Sequence, residues 1–309
     1  MIVAAERPLV TTGLGKRYGS VTALSSLDLE LSRGEVFGLI GPNGAGKTTT
    51  MRLLLDIIRP TAGEARVLGI DPRRGGAELR RHIGYLPGEL RLEGRSTVRT
   101  ALSEFARISG PVATGAIERL CQRLGLDLDR RIGQLSKGNK QKLGIIQAFM
   151  HRPRLLVLDE PTSGLDPLVQ QEFLAMVTEA SAAGQTVLLS SHVLSEIEHA
   201  ADRVGVLHEG NLVMLGSLSD LRLAHRRRAK AVFGAPPAVV EARLSSTTLA
   251  GATITSHAVG AVLDAHVDDI DAFVKAIAGL PVKDLVVTEP QLEEIVLDLY
   301  RSTGGTHEA

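Results

Sequence analysis

Long apolar runs are missing from this 309-residue sequence. The longest are the length of a strand and none approaches the ~18 residues a membrane-spanning helix needs. Any attachment to a membrane is therefore expected to come through another protein. The N-terminal MIVAAERPLV has neither the basic start nor the apolar core of a secretory leader, so the chain is expected to stay in the cytoplasm. Cysteine is nearly absent too. Cys121 alone excludes an internal disulfide framework, suits a reducing compartment, and reads as a small apolar residue on a helix. An excess of one charge is also lacking, since 35 basic side chains balance 35 acidic ones, and no nucleic-acid partner is expected. With 44% apolar and 23% charged residues, the composition is that of an ordinary soluble globular protein, and its length favours one large and one small domain.

What is present is an alternation of strand-length apolar runs with helix-length amphipathic stretches, the pattern of an α/β fold with a parallel sheet. Val36–Ile40, Leu155–Leu158 and Val187–Leu189 are apolar at successive positions, as strands covered on both faces are. Each leads at its C-terminal end into polar residues, Gly41–Thr49, Asp159–Asp166 and Ser190–His192. Ligands in such sheets bind outside the carboxyl ends of the strands, so the three ends predict one site. Residues from about Leu9 to Leu31 read as short alternating strands, and Glu64–Gly69 adds another, which together predict an antiparallel layer beside the parallel sheet. A helical subdomain is expected over about 97–150, with Leu102, Phe105 and Ala106 on one face and Ile117, Leu120, Cys121 and Leu124 on another.

The basic run Arg222–Lys230, which includes Arg226, Arg227 and Arg228, reads as a solvated linker. It divides the chain into an expected large domain, 1–221, and a small one, 222–309. Within the small domain Ala229–Phe233, Pro237–Leu244, Thr253–His257, Val262–Val267, Ile270–Ala278, Val282–Thr288 and Gln291–Arg301 read as β, α, β, β, α, β, α. The first six predict a small α+β domain of the ferredoxin-like kind.

Gly41, Pro42, Asn43, Gly44, Ala45, Gly46, Lys47 and Thr48 complete the phosphate-binding pattern G-x-x-x-x-G-K-[ST]. The motif follows a buried strand and opens a helix expected near Thr48, with Thr49 next to it. Glycines let backbone N–H groups fold around phosphate oxygens, and the helix N-terminus adds partial positive charge. Lys47 would bridge β- and γ-phosphates, and Thr48 would place its hydroxyl on magnesium. Asp159 and Glu160 end an apolar strand, where unpaired carboxylates are costly. Asp159 suits a metal-holding acid, and Glu160 an acceptor for the proton of an attacking water. Ser136 reads as the N-cap of a helix carrying Leu143, Ile146 and Met150 on one face, with Gly138 permitting close backbone approach.

These three motifs, in this order and spacing, resemble the ATP-binding cassette family over roughly residues 8 to 220. The family signature, commonly L-S-G-G-Q, stands here as Leu135-Ser136-Lys137-Gly138-Asn139, with lysine for the first glycine and asparagine for glutamine. The resemblance implies that Ser136 and Gly138, with Lys137 and Asn139 between and beside them, meet the γ-phosphate of a partner's ATP. It implies that Tyr18 stacks on adenine, that Ser163-Gly164-Leu165-Asp166 crosses a dimer interface, and that His192 senses the γ-phosphate. The glutamine that links magnesium to the membrane subunit is missing. Gly88 stands at its place, and the adjacent Glu89 is the expected substitute as a metal-side residue. The resemblance further implies an ATPase using ATP and Mg2+, acting as a homodimer with a membrane-embedded permease at the cytoplasmic face of the cell membrane. The small domain and the Pro87-Gly88-Glu89 variant are similar to bacterial drug- and antibiotic-efflux cassettes, which implies export. An importer subunit, a soluble cassette acting on ribosomes or DNA, and a regulator that has lost hydrolysis are the alternatives.

Overall fold

In the computed structural model three successive-apolar runs become strands buried at every position: Val36–Ile40, Leu155–Asp159 and Thr186–Ser191. Residues 6–90, 92, 94–224, 227–244, 250–257, 260–267, 269–289 and 292–304 are described. The chain divides into two compact units, Met1–Leu218 and Ser219–Ala309.

The first unit opens with β1 (Leu9–Tyr18), β2 (Val21–Leu31), β3 (Val36–Ile40), α1 (Lys47–Leu54), β4 (Ala62–Val67), α2 (Pro72–Arg80) and β5 (Ile83–Leu86). Helices α3 (Val98–Ser109), α4 (Ala116–Leu124) and α5 (Lys137–Phe149) come next, where the sequence predicts the helical subdomain. The unit continues with β6 (Leu155–Asp159), α6 (Pro167–Ala182), β7 (Thr186–Ser191), α7 (Leu194–Ala200), β8 (Arg203–His208) and β9 (Asn211–Ser217). Side-chain oxygens start several of these helices: Asp71 caps α2, Thr97 caps α3 and Asp166 caps α6, each accepting from a backbone N–H in the first turn.

A nine-stranded sheet runs in the order β4-β1-β2-β9-β8-β3-β7-β6-β5. Its β8-β3-β7-β6-β5 portion is parallel, and β4-β1-β2 forms the antiparallel part, joined to the rest by one bridge between Ser26 and Asn211. The stretch from Leu9 to Leu31 is two long strands rather than several short ones, paired from Leu9↔Leu31 to Tyr18↔Val21 with register shifts between Thr11 and Arg17 that interrupt the alternation without ending the strands. Leu14, Leu27, Phe37, Met51, Val157, Leu188 and Leu207 are members of one apolar core. Cys121 is buried on α4, and burial pushes its thiol up to about 11. Among the described residues no helix is long and apolar enough to cross a membrane.

Helix α8 (Leu218–Ala224) spans the division between the units. Beyond it come β10 (Arg227–Phe233), α9 (Pro237–Leu244), β11 (Ala250–His257), β12 (Gly260–Val267), α10 (Ile270–Ile277), β13 (Val282–Thr288) and α11 (Leu292–Gly304). The four strands pair antiparallel in the order β11-β12-β10-β13, the split βαβ arrangement of a ferredoxin-like domain. Its core is separate, with Ala229, Phe233, Leu263 and Phe273 as members. One expectation is corrected here. The basic run is not a free linker: Arg222 lies in α8, Arg227 starts β10, and Arg228 holds Asp264 at 2.7 Å on the neighbouring strand and Glu294 at 3.5 Å. That pairing holds the Asp264 carboxyl below the usual carboxylate range. Arg226 lies outside the described residues.

Because each unit has its own apolar core, a fragment ending at Leu218 is expected to fold and bind a fluorescent ATP analogue with the affinity of the full chain. Circular dichroism melting and nucleotide titration check this. A well-folded fragment that fails to bind would contradict the division.

Candidate nucleotide site

The register of the central strands decides what meets at their ends. Ile40 pairs with Ser191 and Asp159 with Ser190, so the turn after β3, the acids ending β6 and the serines ending β7 lie side by side. At the first of these, Gly41 has no room for a side chain, since a Cβ there would stand 2.4 Å from the Leu207 carbonyl oxygen. Gly46, at φ 109, is the left-handed cap of α1 and brings no side chain to its first N–H groups. A glycine cap leaves those donors available to an anion. The helix begins at Lys47, one residue before the expected Thr48. Lys47 is 6% exposed and donates to the carbonyls of Gly41 at 2.5 Å and Pro42 at 3.3 Å, with the Glu160 carboxylate 3.4 Å away. Its ammonium is thereby held under the loop.

Thr48 donates its hydroxyl proton to Asp159 Oδ2 at 2.8 Å, and Ser190 donates to Asp159 Oδ1 at 2.7 Å. Both oxygens of this fully buried carboxylate are thus partnered. A hydroxyl and a carboxylate side by side are hard oxygen donors of the kind magnesium takes, and magnesium is commonly held by one or two such groups together with substrate phosphates. Thr48 and Asp159, 2.8 Å apart, are a donor pair of that sparse kind. Glu160 follows at φ 48, its N–H received by Ser190 Oγ at 3.0 Å, and its Oε2 lies 2.6 Å from His192 Nδ1. His192 is otherwise open to solvent. Tyr85 is near enough to Asp159 that burial and the carboxylate's charge together push its phenol up.

Ser136 caps α5 by accepting from the Asn139 N–H at 3.2 Å. Lys137 donates to Ser163 Oγ at 3.3 Å, and a Cβ on Gly138 would stand 2.7 Å from the Gly164 carbonyl oxygen. Lys137 and Gly138 therefore pack on the loop after Glu160. Tyr18 ends β1 with its ring 48% exposed and the Lys16 ammonium 4.9 Å from its centroid. At the position of the missing glutamine, a Cβ on Gly88 would stand 3.1 Å from Asp159 Oδ2, so this backbone lies against the acid. Glu89 instead lines a hollow of about 430 Å³ with Lys137, Lys140 and Gln141, on the side of the signature helix.

A phosphate loop, a hydroxyl on a buried acid and a second acid held by histidine, all at the carboxyl ends of parallel strands, define a P-loop nucleotide hydrolase of the cassette type. The ABC transporter family model matches residues 24–163. The bacitracin transport ATP-binding protein BcrA of Bacillus licheniformis is 39% identical over 220 residues, 70% of this chain and 72% of that protein. The daunorubicin resistance ATP-binding protein DrrA3 of Streptomyces coeruleorubidus is 32% identical over 304 residues, 96% of either chain. A solved structure of the ATP-binding subunit of an ABC transporter superposes with TM-score 0.65 at 33% identity, over 69% of this chain and 91% of that one. The chain belongs to the ABC transporter family of ATP-binding proteins.

Two residues of the site escape the sequence reading. In the sequence Ser190 is only part of a polar strand end, yet in the fold it serves both acids. Gln141 donates to the carbonyls of Glu160 and Pro161. Its signal is its spacing, for it shares a helical face with Ile145 and Ala148, both fully buried.

Removing the cation under the loop by Lys47→Ala is expected to lower ATP turnover by about two orders of magnitude or more, as loss of a charged phosphate contact does. A coupled ADP-release assay on the purified chain measures it, and parental turnover would show that this loop is not the phosphate site.

Proposed function

We propose that the chain is the ATP-hydrolysing subunit of an exporter, working as a homodimer on a separate membrane permease at the cytoplasmic face of the membrane, with a drug, antibiotic or other lipophilic compound as cargo. The observation that carries the hydrolytic part is the constellation of Lys47, Thr48, Asp159, Glu160 and His192 at adjoining strand ends. Export is supported by relatives named for bacitracin transport and daunorubicin resistance, the latter aligning through the small C-terminal unit as well.

In this reading the loop Gly41–Thr48 and the N-terminus of α1 bind the phosphates, with Thr49 in the next position of the helix and Tyr18 against adenine. Lys47 leaves its carbonyl partners to hold the β- and γ-oxygens. Thr48 and Asp159 would hold magnesium, which when bound offsets the charge of those oxygens. Water attacks the γ-phosphorus, the bond to the bridging oxygen breaks, and ADP leaves with that oxygen. Glu160 takes the water's proton, and His192 keeps its carboxylate aimed. Because Lys137 and Gly138 pack on their own chain's loop 163–164 while Ser136 caps an exposed helix start, a second copy bringing its phosphate loop there would complete each site head to tail. A two-fold pair then has two equivalent sites.

An apolar cleft of about 730 Å³ supports the permease. It is lined by Leu55, Ile57, Tyr85, Pro87, Phe105 and Ile108 among others and rimmed by arginines, with Ile57 54% and Ile108 71% exposed. Exposed apolar groups gathered this way mark a protein contact. Pro87 connects the cleft directly to Gly88 against Asp159, a path by which a partner's movement reaches the metal side, and Glu89 is the adjoining candidate for that link.

Glu160→Gln removes the proton acceptor and leaves the phosphate loop intact. It is expected to bind ATP, turn it over at about a hundredth of the parental rate or less, and accumulate as a dimer in ATP and magnesium that dissociates in ADP. Adding Ser136→Arg should abolish the dimer and leave ATP binding by the monomer. Size-exclusion chromatography separates the outcomes, and a dimer that survives the arginine would rule out the head-to-tail site.

A further inference from the structure

Gln141 takes no part in the roles assigned so far. It lies in the second turn of α5 and is 4% exposed, so its amide needs partners. It finds them on one short stretch of chain. Its Nε2 donates to the Glu160 carbonyl at 3.2 Å and the Pro161 carbonyl at 2.8 Å. Glu160 is in the left-handed region at φ 48, a conformation that a residue with a side chain keeps only where its surroundings hold it. Two groups do so from opposite sides. Ser190 receives its N–H and Gln141 donates to its C=O, so the peptide units flanking the Glu160 Cα are both fixed.

We infer that Gln141 is a positioning residue for hydrolysis, fixing the backbone from which the Glu160 carboxylate is aimed at the attacking water, a role that rests on Glu160 being the proton acceptor. Its place in the fold adds a direction to that role. Ser136 heads the same helix, and along its first turns Lys137 meets Ser163, Gly138 meets Gly164 and Gln141 meets residues 160 and 161. The loop after β6 is therefore laid along the start of α5. A displacement at the head of this helix, where a second copy's nucleotide would sit, is carried to Glu160 through one amide. Occupancy at one site of the pair thereby sets the aim of the base at the other.

The test uses the full chain with Gln141→Met, which keeps length and volume and loses the donor, and Gln141→Glu, which keeps the size and has no proton to give at neutral pH. Both are expected to lower kcat about tenfold or more, in the range that misplacement of a catalytic group costs, with KM and the dissociation constant of a fluorescent ATP analogue within about twofold of the parent. In a Glu160→Gln background the same changes should cost nothing further, because the group they position is already gone. Glu160→Gln inactive while both Gln141 variants keep parental kcat would overturn the positioning role alone. An equal loss in both backgrounds, or a fall in ATP binding that accounts for the lost turnover, would make Gln141 a structural tether only. Parental turnover in Glu160→Gln would instead remove the assignment of the base itself.

Discussion

The site depends on β7 being held in one register between β3 and β6. Strands buried on both faces carry no alternation to resist a slip, so polar groups at their ends must set the pairing. At the start of β7 the buried Thr186 hydroxyl accepts from the Gly34 N–H at 3.0 Å and donates to the Ser32 carbonyl at 3.1 Å. At the other end Ser190 reaches Asp159 and the Glu160 N–H. A slip of one residue would break both sets of bonds, each buried group left alone costing ~1–3 kcal/mol. It would also point Ser190 to the opposite face, away from both acids. Hydroxyls that pin the sheet therefore also assemble the chemistry.

A second dependence links the helical subdomain to this sheet. Helix α5 approaches β5 so closely that a Cβ on Gly144 would stand 2.5 Å from Leu86 Cδ1 and 2.7 Å from Leu90 Cδ2. Small residues on this helix thus set its distance from the sheet, and Gln141 sets its connection to the loop after β6. Arg123 ties the subdomain at a further point. From α4 it holds both Glu172 and, in a two-armed pair, Glu179 of α6, and its guanidinium keeps the Glu179 carboxyl below its ordinary value.

The parts of the fold visible in the sequence are those written in local pattern. Val36–Ile40 and Leu155–Leu158 are apolar at every position, and the phosphate loop is contiguous, so strand, turn and helix are dictated by neighbours in the chain. The small C-terminal unit is legible for the same reason: β12 and α10 alternate or repeat with little interruption, and their strand and helix periods differ. The tasks of Ser190 and Gln141 are not legible, because their partners lie 30–31 and 19–20 residues away and only the register brings them together. Arg228 misleads for the same reason. A cluster of arginines looks solvated until Asp264 is found diagonally across on the next strand, two positions from Arg228's direct partner His266. The strand pattern already predicts that the three ends serve one site; the family resemblance adds the expected roles of Tyr18, Ser136 and His192, which neither pattern nor charge could supply, and the register of β3, β7 and β6 gives the shared site its physical basis.

The left-handed backbone at Glu160 carries one more consequence. For a residue with a side chain that conformation costs about 1–2 kcal/mol relative to glycine, which adopts it freely. The position that aims the water is therefore one where the chain is locally less stable than it could be. Glycine at 160 would relieve that local cost, but it would leave the buried Lys47 ammonium and His192 without their carboxylate and the site without its base, so strain and turnover at this position go together.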